Sequence, residues 1–108
     1  MRLKNNDPFD IEGDDGEEIT FVMTKGTVAE VVTNLDGVQQ ILKKGEKRVF
    51  TLKKGKQREL VATYPFKASN GESYETHVTG KAGGQESVDS FKQIPDMAEN
   101  SVGYTFTA

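Results

Sequence analysis

The stretch from Val38 to Tyr64, VQQILKKGEKRVFTLKKGKQRELVATY, decides the fold. Apolar and polar side chains alternate along it, which is typical of strands with one buried face. Gly45 and Gly55 interrupt the alternation, and glycines that recur at about this interval mark the turns of an all-β sandwich or barrel. The stretch therefore predicts short antiparallel strands joined by tight turns.

The same pattern extends to both sides of this stretch, with turn glycines at positions 26, 37, 45, 55 and 71. We expect an all-β protein, an antiparallel β-sandwich of immunoglobulin-like or related Greek-key type with about seven or eight strands. The inward-facing positions of the predicted strands form the expected core: Ile19, Phe21, Met23, Phe50, Leu52, Leu60, Ala62, Tyr64, Phe66, Tyr74, Thr76, Val78, Val102, Tyr104 and Phe106.

The length of 108 residues fits a single domain, which we place at residues 17 to 108. Residues 80 to 87 contain three glycines and almost no apolar side chains, so they predict a mobile surface loop. Residues 88 to 99 favour an irregular strand or a single turn, because Pro95 interrupts any longer helix.

The charge is unevenly distributed, although the net charge is only −3. Residues 7 to 18 carry seven carboxylates and no base, and Gly13 and Gly16 give them freedom. We expect residues 1 to 16 to form an acidic flexible arm, solvated or docked on a basic surface. Calcium is the cofactor that these carboxylates suggest, with Asp10, Glu12, Asp14 and Asp15 as ligands. The EF-hand pattern is incomplete, because Phe21 stands where its bidentate glutamate belongs.

A basic set lies further along the chain, in residues 43 to 58. Its members are Lys43, Lys44, Lys47, Arg48, Lys53, Lys54, Lys56 and Arg58. The two lysine turns are expected at opposite ends of one strand, roughly 17 to 20 Å apart, so they would not form one patch for nucleic acid. Lysines that keep strand edges soluble are the favoured interpretation.

His77 is the single histidine, and its strand phase places it beside Ser73, Glu75 and Thr79. Glu75 is in position to orient the ring, and a hydroxyl beside it would be the nucleophile of a small hydrolase. No sequence motif of a known hydrolase accompanies these residues. A hydrolase therefore ranks third among the functions considered, and we expect no enzyme.

The turn from Ser69 to Tyr74 offers amides, a carboxylate and an aromatic ring, which are the groups that bind sugars. Asn70, Glu72, Tyr74 and His77 are the candidate ligand-binding residues. As a hairpin turn the same residues need no ligand, and the hairpin is the favoured interpretation.

Cysteine is absent, so disulfides and thiolate metal sites are excluded. The N-terminus has no apolar core of a signal peptide, and no apolar run approaches the length of a membrane span. We expect a soluble chain, whose compartment the sequence does not indicate.

Two segments that begin at Leu42 and Leu52 share the pattern Leu-Lys-Lys-Gly-x-x-Arg-x-apolar. With its apolar-x-x-Gly-Glu-x-x-x-Phe-x-Leu-x-x-Gly spacing, the passage from Val38 to Tyr64 resembles a segment of bacterial immunoglobulin-like β-sandwich modules. This resemblance implies a two-sheet Greek-key fold and a role in adhesion, assembly or binding. The Cys-Trp-Cys core of antibody domains has no counterpart here.

These observations favour a non-catalytic binding or assembly module, such as a surface, appendage or virion subunit that self-associates through contacts between its acidic and basic segments. The alternative is a carbohydrate-binding, lectin-like module, either with or without a requirement for calcium. Nucleic acid is not an expected partner.

Overall fold

A computed structural model describes residues 1 to 108 and contains strands and no helix. The ten strands are β1 (Arg2–Asn6), β2 (Phe9–Glu12), β3 (Glu18–Gly26), β4 (Glu30–Leu35), β5 (Val38–Lys43), β6 (Lys47–Thr51), β7 (Arg58–Pro65), β8 (Ser73–Gly80), β9 (Ser87–Lys92) and β10 (Glu99–Thr107). One sheet has the order β1-β2-β10-β7-β4-β5 and the other β6-β3-β8-β9. Only β2 and β10 pair in parallel. No helix is long and apolar enough to cross a membrane.

Aromatic side chains from both sheets meet in one core. Tyr64 of β7 stacks on Tyr74 of β8 with ring centroids 3.5 Å apart, and its hydroxyl lies 2.7 Å from the Thr76 hydroxyl. Phe21 of β3 meets Tyr104 of β10 edge to face at 6.1 Å. Because each strand alternates, one face of each sheet supplies this core and the other faces solvent. The two sheets therefore have a sandwich-like arrangement.

The all-β class is confirmed, and so is nearly all of the expected core. All of its residues are buried except Phe66 and Val102, which are partly buried and pack against it. The expected strand number was too low, since there are ten strands. Three residues of the unexpected β4 also face inward, the apolar Val31 and Leu35 and the polar Thr33.

The five predicted turn glycines all have positive φ, the backbone conformation that tight turns need. Asp36 and Gly37 form a two-residue turn between β4 and β5, with φ of 51° and 88°. Both central residues of such a turn need positive φ, which Asp-Gly supplies at low cost. This tight turn fixes the pairing register of β4 and β5 from Leu35↔Val38 to Glu30↔Lys43.

Residues 1 to 16 are not a flexible arm, because they form two strands of the larger sheet. Phe9 and Ile11 of β2 are buried in the core, whereas Asp10 and Glu12 alternate with them and face outward. Burying a large apolar side chain contributes about 1.5–3 kcal/mol, which is enough to hold so short a strand against β10. The sequence analysis missed this alternation of apolar and acidic residues, because the seven carboxylates of residues 7 to 18 made the segment look like a solvated arm.

Bases across the sheet and the turns neutralise part of the acidic stretch. Glu12 forms ion pairs with Arg2 and with Lys4 of β1, the latter at 3.4 Å. The Asp15 carboxylate accepts a hydrogen bond of 2.8 Å from the Lys54 amide. The acidic and basic segments thus meet within one chain.

Residues 88 to 99, expected as an irregular strand or a single turn, begin in β9 and continue without regular structure to β10. Gln93 is buried there and donates from its side-chain amide to the carbonyls of Ala68 and Met97, both at 2.8 Å. The buried side-chain amide of Gln93 thus satisfies backbone carbonyls that have no partner strand in this irregular segment.

Glu17 holds the chain start against the loop of residues 81 to 86. Its carboxylate accepts hydrogen bonds from the Met1 ammonium at 3.0 Å and from the Asp14 amide at 2.9 Å, and the pair is buried. Burial alone would raise the pKa of Glu17, but the Asp14 amide and the ammonium outweigh burial and hold that pKa below its ordinary value.

We expect Glu17→Gln to lower the free energy of unfolding by about 3 kcal/mol, because the ammonium would stay buried without its counter-charge. A lowered carboxylate pKa gives stability that is complete above the ordinary pKa of 4.5 and is lost as the pH falls through the folded pKa. Urea unfolding curves of the two proteins should therefore converge at acid pH. The exposed neighbour provides the control: Glu18→Gln should change stability by less than about 0.5 kcal/mol. Equal losses for both variants would contradict the buried pair.

Candidate functional site

Two open sheets leave four edge strands, which are β1 and β5 of the larger sheet and β6 and β9 of the smaller one. An edge strand presents a row of unpaired N–H and C=O groups to which another strand can add. The features of each edge therefore show where the addition of a further strand is hindered and where it is not.

Three of the four edges carry a feature that hinders strand addition. In β1 the register shifts between Leu3 and Asn5, and Lys4 lies at this irregularity. In the edge strand β6, Arg48 is at an inward-facing position, so its guanidinium lies on the core side of the strand. In the edge strand β9, the half-buried carboxylate of Asp89 also points inward. Bulges and inward-pointing charges are the features with which natural sheets block their edges.

The fourth edge, β5, has no such feature. It pairs with β4 in an unbroken register and contains no proline and no inward charge. Val38 is 63% exposed and Ile41 is 53% exposed. Its single charge is Lys43, at the end of the strand. We call the exposed side of Val38–Lys43 the open edge.

The backbone of the open edge presents its free groups at two residues. The Gln40 carbonyl accepts a 2.8 Å hydrogen bond from the Thr33 hydroxyl of β4, so the Gln40 backbone faces β4. Because the direction alternates along an antiparallel strand, the N–H and C=O groups of Gln39 and Ile41 face away from β4. Lys43 faces away as well, but its N–H donates to the Glu46 carboxylate at 2.7 Å.

The basic residues do not form one surface. Lys43 and Lys44 lie before β6, and Lys53, Lys54 and Lys56 lie after it, so the two lysine turns are at opposite ends of that strand, as expected. One member was assigned wrongly to the basic surface: Arg48 is 8% exposed and donates to the Thr33 carbonyl and hydroxyl at 3.2 and 2.9 Å. Arg58 is partly exposed and is paired with Asp36.

Both arginines are at inward-facing strand positions, Arg48 in β6 and Arg58 at the start of β7. Burial, and then the neighbouring positive charge of Arg58, lower the pKa of Arg48. For Asp36, burial would raise the pKa, but the Glu59 amide and Arg58 outweigh it and hold the pKa below its ordinary value. The remaining lysines are exposed and surround the strand ends.

The four carboxylates predicted to bind calcium are not brought together. Asp10 and Glu12 lie on the outward face of β2, whereas Asp14 and Asp15 lie in the following turn, and Asp15 caps the Lys54 amide. No group of three or more acidic, histidine or cysteine side chains in the chain has the geometry of a metal site. Asp10 and Glu12 share the outward face of β2, because alternate strand positions point the same way, but β2 ends at Glu12 and the turn places Asp14 and Asp15 beyond it.

The candidate sugar ligands are also separated. Asn70 is exposed in its turn, and the Glu72 carboxylate accepts hydrogen bonds from the Lys67 and Ala68 amides at 2.5 and 3.2 Å. Tyr74 faces the core, where its ring lies between those of Tyr64 and Phe91, so it has no free face for stacking. His77 lies on the opposite face of β8 because its position differs from Tyr74 by an odd number.

Two carboxylates hold His77 from either side. Its Nε2 lies 2.8 Å from Glu75, as the sequence suggested, and its Nδ1 is hydrogen-bonded to Glu86 of the neighbouring loop. The hydrogen bonds to Glu75 and then to Glu86 raise the pKa of His77 above its ordinary value. No serine or threonine hydroxyl is bonded to the ring, and the Ser90 hydroxyl donates to Glu75 at 3.2 Å.

A polar cleft of about 340 Å³ lies between the β1–β2 turn and β10, with Asp89 of β9 also in its lining. Asn100 on its wall donates to the Tyr74 hydroxyl at 2.8 Å, which in turn donates to Asp89 at 3.0 Å. Burial raises the pKa of Asp89, and the Tyr74 hydrogen bond offsets this in part. Asn6 and Ser101 add polar groups to the same cleft.

The sequence reasoning did not identify the open edge, although a signal was present. The run Val38-Gln39-Gln40-Ile41-Leu42 is uncharged and has β-branched residues near both ends, between an Asp-Gly turn and Lys43. Segments of high β-propensity and low charge associate when they are exposed at an edge. In the sequence this run reads like any other strand, because its position in the sheet is not visible there.

Comparison with protein-family models, with curated protein sequences and with solved structures finds no match to this chain. The functional argument therefore depends on the chemistry and placement of the residues themselves.

We expect the contact of His77 with Glu86 to hold the loop of residues 81 to 86 in a pH-dependent manner. A raised histidine pKa gives stabilisation that is complete below the ordinary pKa of 6.5 and is lost as the pH rises through the folded pKa. Protease cleavage of the loop should therefore become faster above neutrality in the wild type and should be fast at every pH in His77→Gln. Thr79→Gln, on the same strand face, should behave like the wild type. A wild-type loop whose cleavage does not change with pH after correction for the protease would contradict this role.

Proposed function

We propose that this chain is a non-catalytic binding and assembly module, a structural subunit of a surface, appendage or virion, and that it associates by strand addition at the open edge. The observation that carries the proposal is the difference among the four edges. Three are blocked by a bulge or an inward charge, whereas β5 presents free backbone groups and exposed apolar side chains. Backbone hydrogen bonds supply affinity in strand addition, and the side chains that flank the edge supply specificity.

Charge has a smaller part in this proposal than the sequence suggested. The acidic stretch is built into the sheet and already contacts Arg2, Lys4 and the Lys54 amide of its own chain. An arm that docks on a neighbour is therefore no longer the mechanism. Exposed charges near the ends of β5 remain available to orient a partner.

An immunoglobulin-like Greek-key topology is part of the proposal. The chain crosses between the sheets after β2, β3, β5, β6, β7 and β9, and repeated crossing of this kind is how Greek-key sandwiches are connected. Fold analogy gives a prior for adhesion and assembly but does not identify a site. The open edge is the observation that supports β5 as the site.

The non-catalytic part of the proposal is supported by the surroundings of His77. Both ring nitrogens are occupied by carboxylates, and no hydroxyl is positioned for activation. A nucleophile needs a free basic nitrogen within hydrogen-bond distance.

A carbohydrate-binding module is the second candidate, and the cleft at Asp89 favours it. Carboxylate and amide groups at this cleft are suitable partners for sugar hydroxyls. A lectin of this kind should remain monomeric and be retained on a glycan surface, and Asn100→Ala should abolish the retention.

Sedimentation tests the assembly function. The average mass of the wild type should rise above 11.9 kDa with concentration, whereas Ile41→Lys should remain at 11.9 kDa, because an edge lysine opposes strand addition. The control is Val49→Lys, which makes the same change at a valine 49% exposed on the edge strand β6. It should associate like the wild type. A wild type that stays monomeric, or a control that also loses association, would refute the role of the open edge.

A further inference from the structure

We propose, building on the assembly function above, that the strand added at the open edge is β5 of a second copy of this chain, antiparallel and related by a two-fold axis at Gln40. The free backbone groups, the charges at the strand ends and the blocked condition of the other edges carry this proposal.

The free backbone groups select one register. In an antiparallel pair, two residues directly opposite each other point to the same face of the sheet. When β5 pairs with β5 of a second copy, opposite residues must therefore both be odd-numbered or both be even-numbered, and their numbers add to an even sum that defines the register. A sum of 80 places Gln39 opposite Ile41 of the second copy. This pair occurs twice about the axis, so four backbone hydrogen bonds form and every free N–H and C=O group of the two residues is used once. A sum of 82 places Gln39 opposite Lys43, whose N–H is already bound to Glu46. The first register satisfies more groups.

Gln40 then lies opposite Gln40 of the second copy, at a pair without backbone hydrogen bonds. Cα atoms at such a pair are about 4.5 Å apart, and the side chains are close. Two glutamine amides in contact are able to donate to and accept from each other. The uncharged centre of β5 therefore suits self-pairing.

Charges at the strand ends favour the antiparallel direction. In the register of 80, Lys44 lies opposite Asp36 of the second copy and Lys43 opposite Gly37, so no like charges face each other. Asp36 is already paired with Arg58, and the Lys44 ammonium donates to the Gly26 carbonyl at 2.8 Å, so this contact is weakly favourable at most. A parallel pair would place Lys43 and Lys44 next to their own copies and would also bring both Asp36 residues together. Like charges placed directly opposite each other on neighbouring strands are destabilising.

The assembly closes at two copies, because each chain has one open edge. The pair joins the two six-stranded sheets into one continuous sheet. A single strand edge places the contact in the small interface class, below about 1,200 Å², so the dimer is weak and forms at high protein concentration. Attachment to a larger structure would strengthen it by raising the local concentration.

Single-cysteine variants test the register, since the chain contains no cysteine. Under mild oxidation, Gln40→Cys should form a disulfide-linked dimer, because the expected Cα separation falls within the disulfide range of about 4.4–6.8 Å. Gln39→Cys and Ile41→Cys are the matched controls. They are equally placed on the open edge, but in this register each lies opposite the other's position, so both should remain uncrosslinked. Gln40→Lys, which places two ammonium groups on the axis, should lose the dimer seen by sedimentation.

The outcomes separate this inference from the assembly function. If the wild type associates and Ile41→Lys does not, but Gln40→Cys crosslinks no faster than its controls, the two-fold register is wrong and strand addition at β5 stands. If the wild type stays at 11.9 kDa and no cysteine variant crosslinks, both proposals are wrong. Circular dichroism melts confirm that each variant is folded, and the variants change exposed side chains.

Discussion

Backbone hydrogen bonding at the limits of an open sheet is the constraint on which this structure depends. Each interior strand of the two sheets has two neighbours, whereas each of the four edge strands has only one. The chain uses an irregular register in β1, a buried guanidinium in β6 and a half-buried carboxylate in β9 at three of these places. Each of these features has an energetic cost, since a charge taken out of water must be compensated. Their absence from β5 is therefore informative about function.

The acidic stretch is partly neutralised when the chain folds. Glu12 lies beside two bases of β1, Asp15 accepts a hydrogen bond from the uncharged Lys54 backbone amide, and Glu17 holds the Met1 ammonium. The positive charges that pair with this stretch come from the first strand and the chain start, whereas the lysines of residues 43 to 58 form no ion pair with it. The surface that remains is mixed in sign, and its lysines are concentrated at strand ends.

The sequence was sufficient to predict the class, the turns and the main strands of the core, because alternation and glycine position are local signals. It was insufficient for β1 and β2, where the carboxylates obscured two inward residues, Phe9 and Ile11. It also misplaced Arg48, since a buried arginine is recognised only when the acceptors on Thr33 are known. The open edge was out of reach for a similar reason: which strand lies at an edge depends on pairing between distant segments.

The side-by-side arrangement of the first and last parts of the chain has a mechanical consequence. Glu12 of β2 lies beside Thr107 of β10, and Arg2 of β1 lies beside Glu12, so both chain ends emerge at the same end of the sheet. A pulling force between the ends would first peel β1 away one pair at a time. It would then load β2 against β10 along their length, so that four residue pairs resist together. Under tension the chain would thus yield in two steps, a weak one that absorbs extension and a stronger one that protects the core.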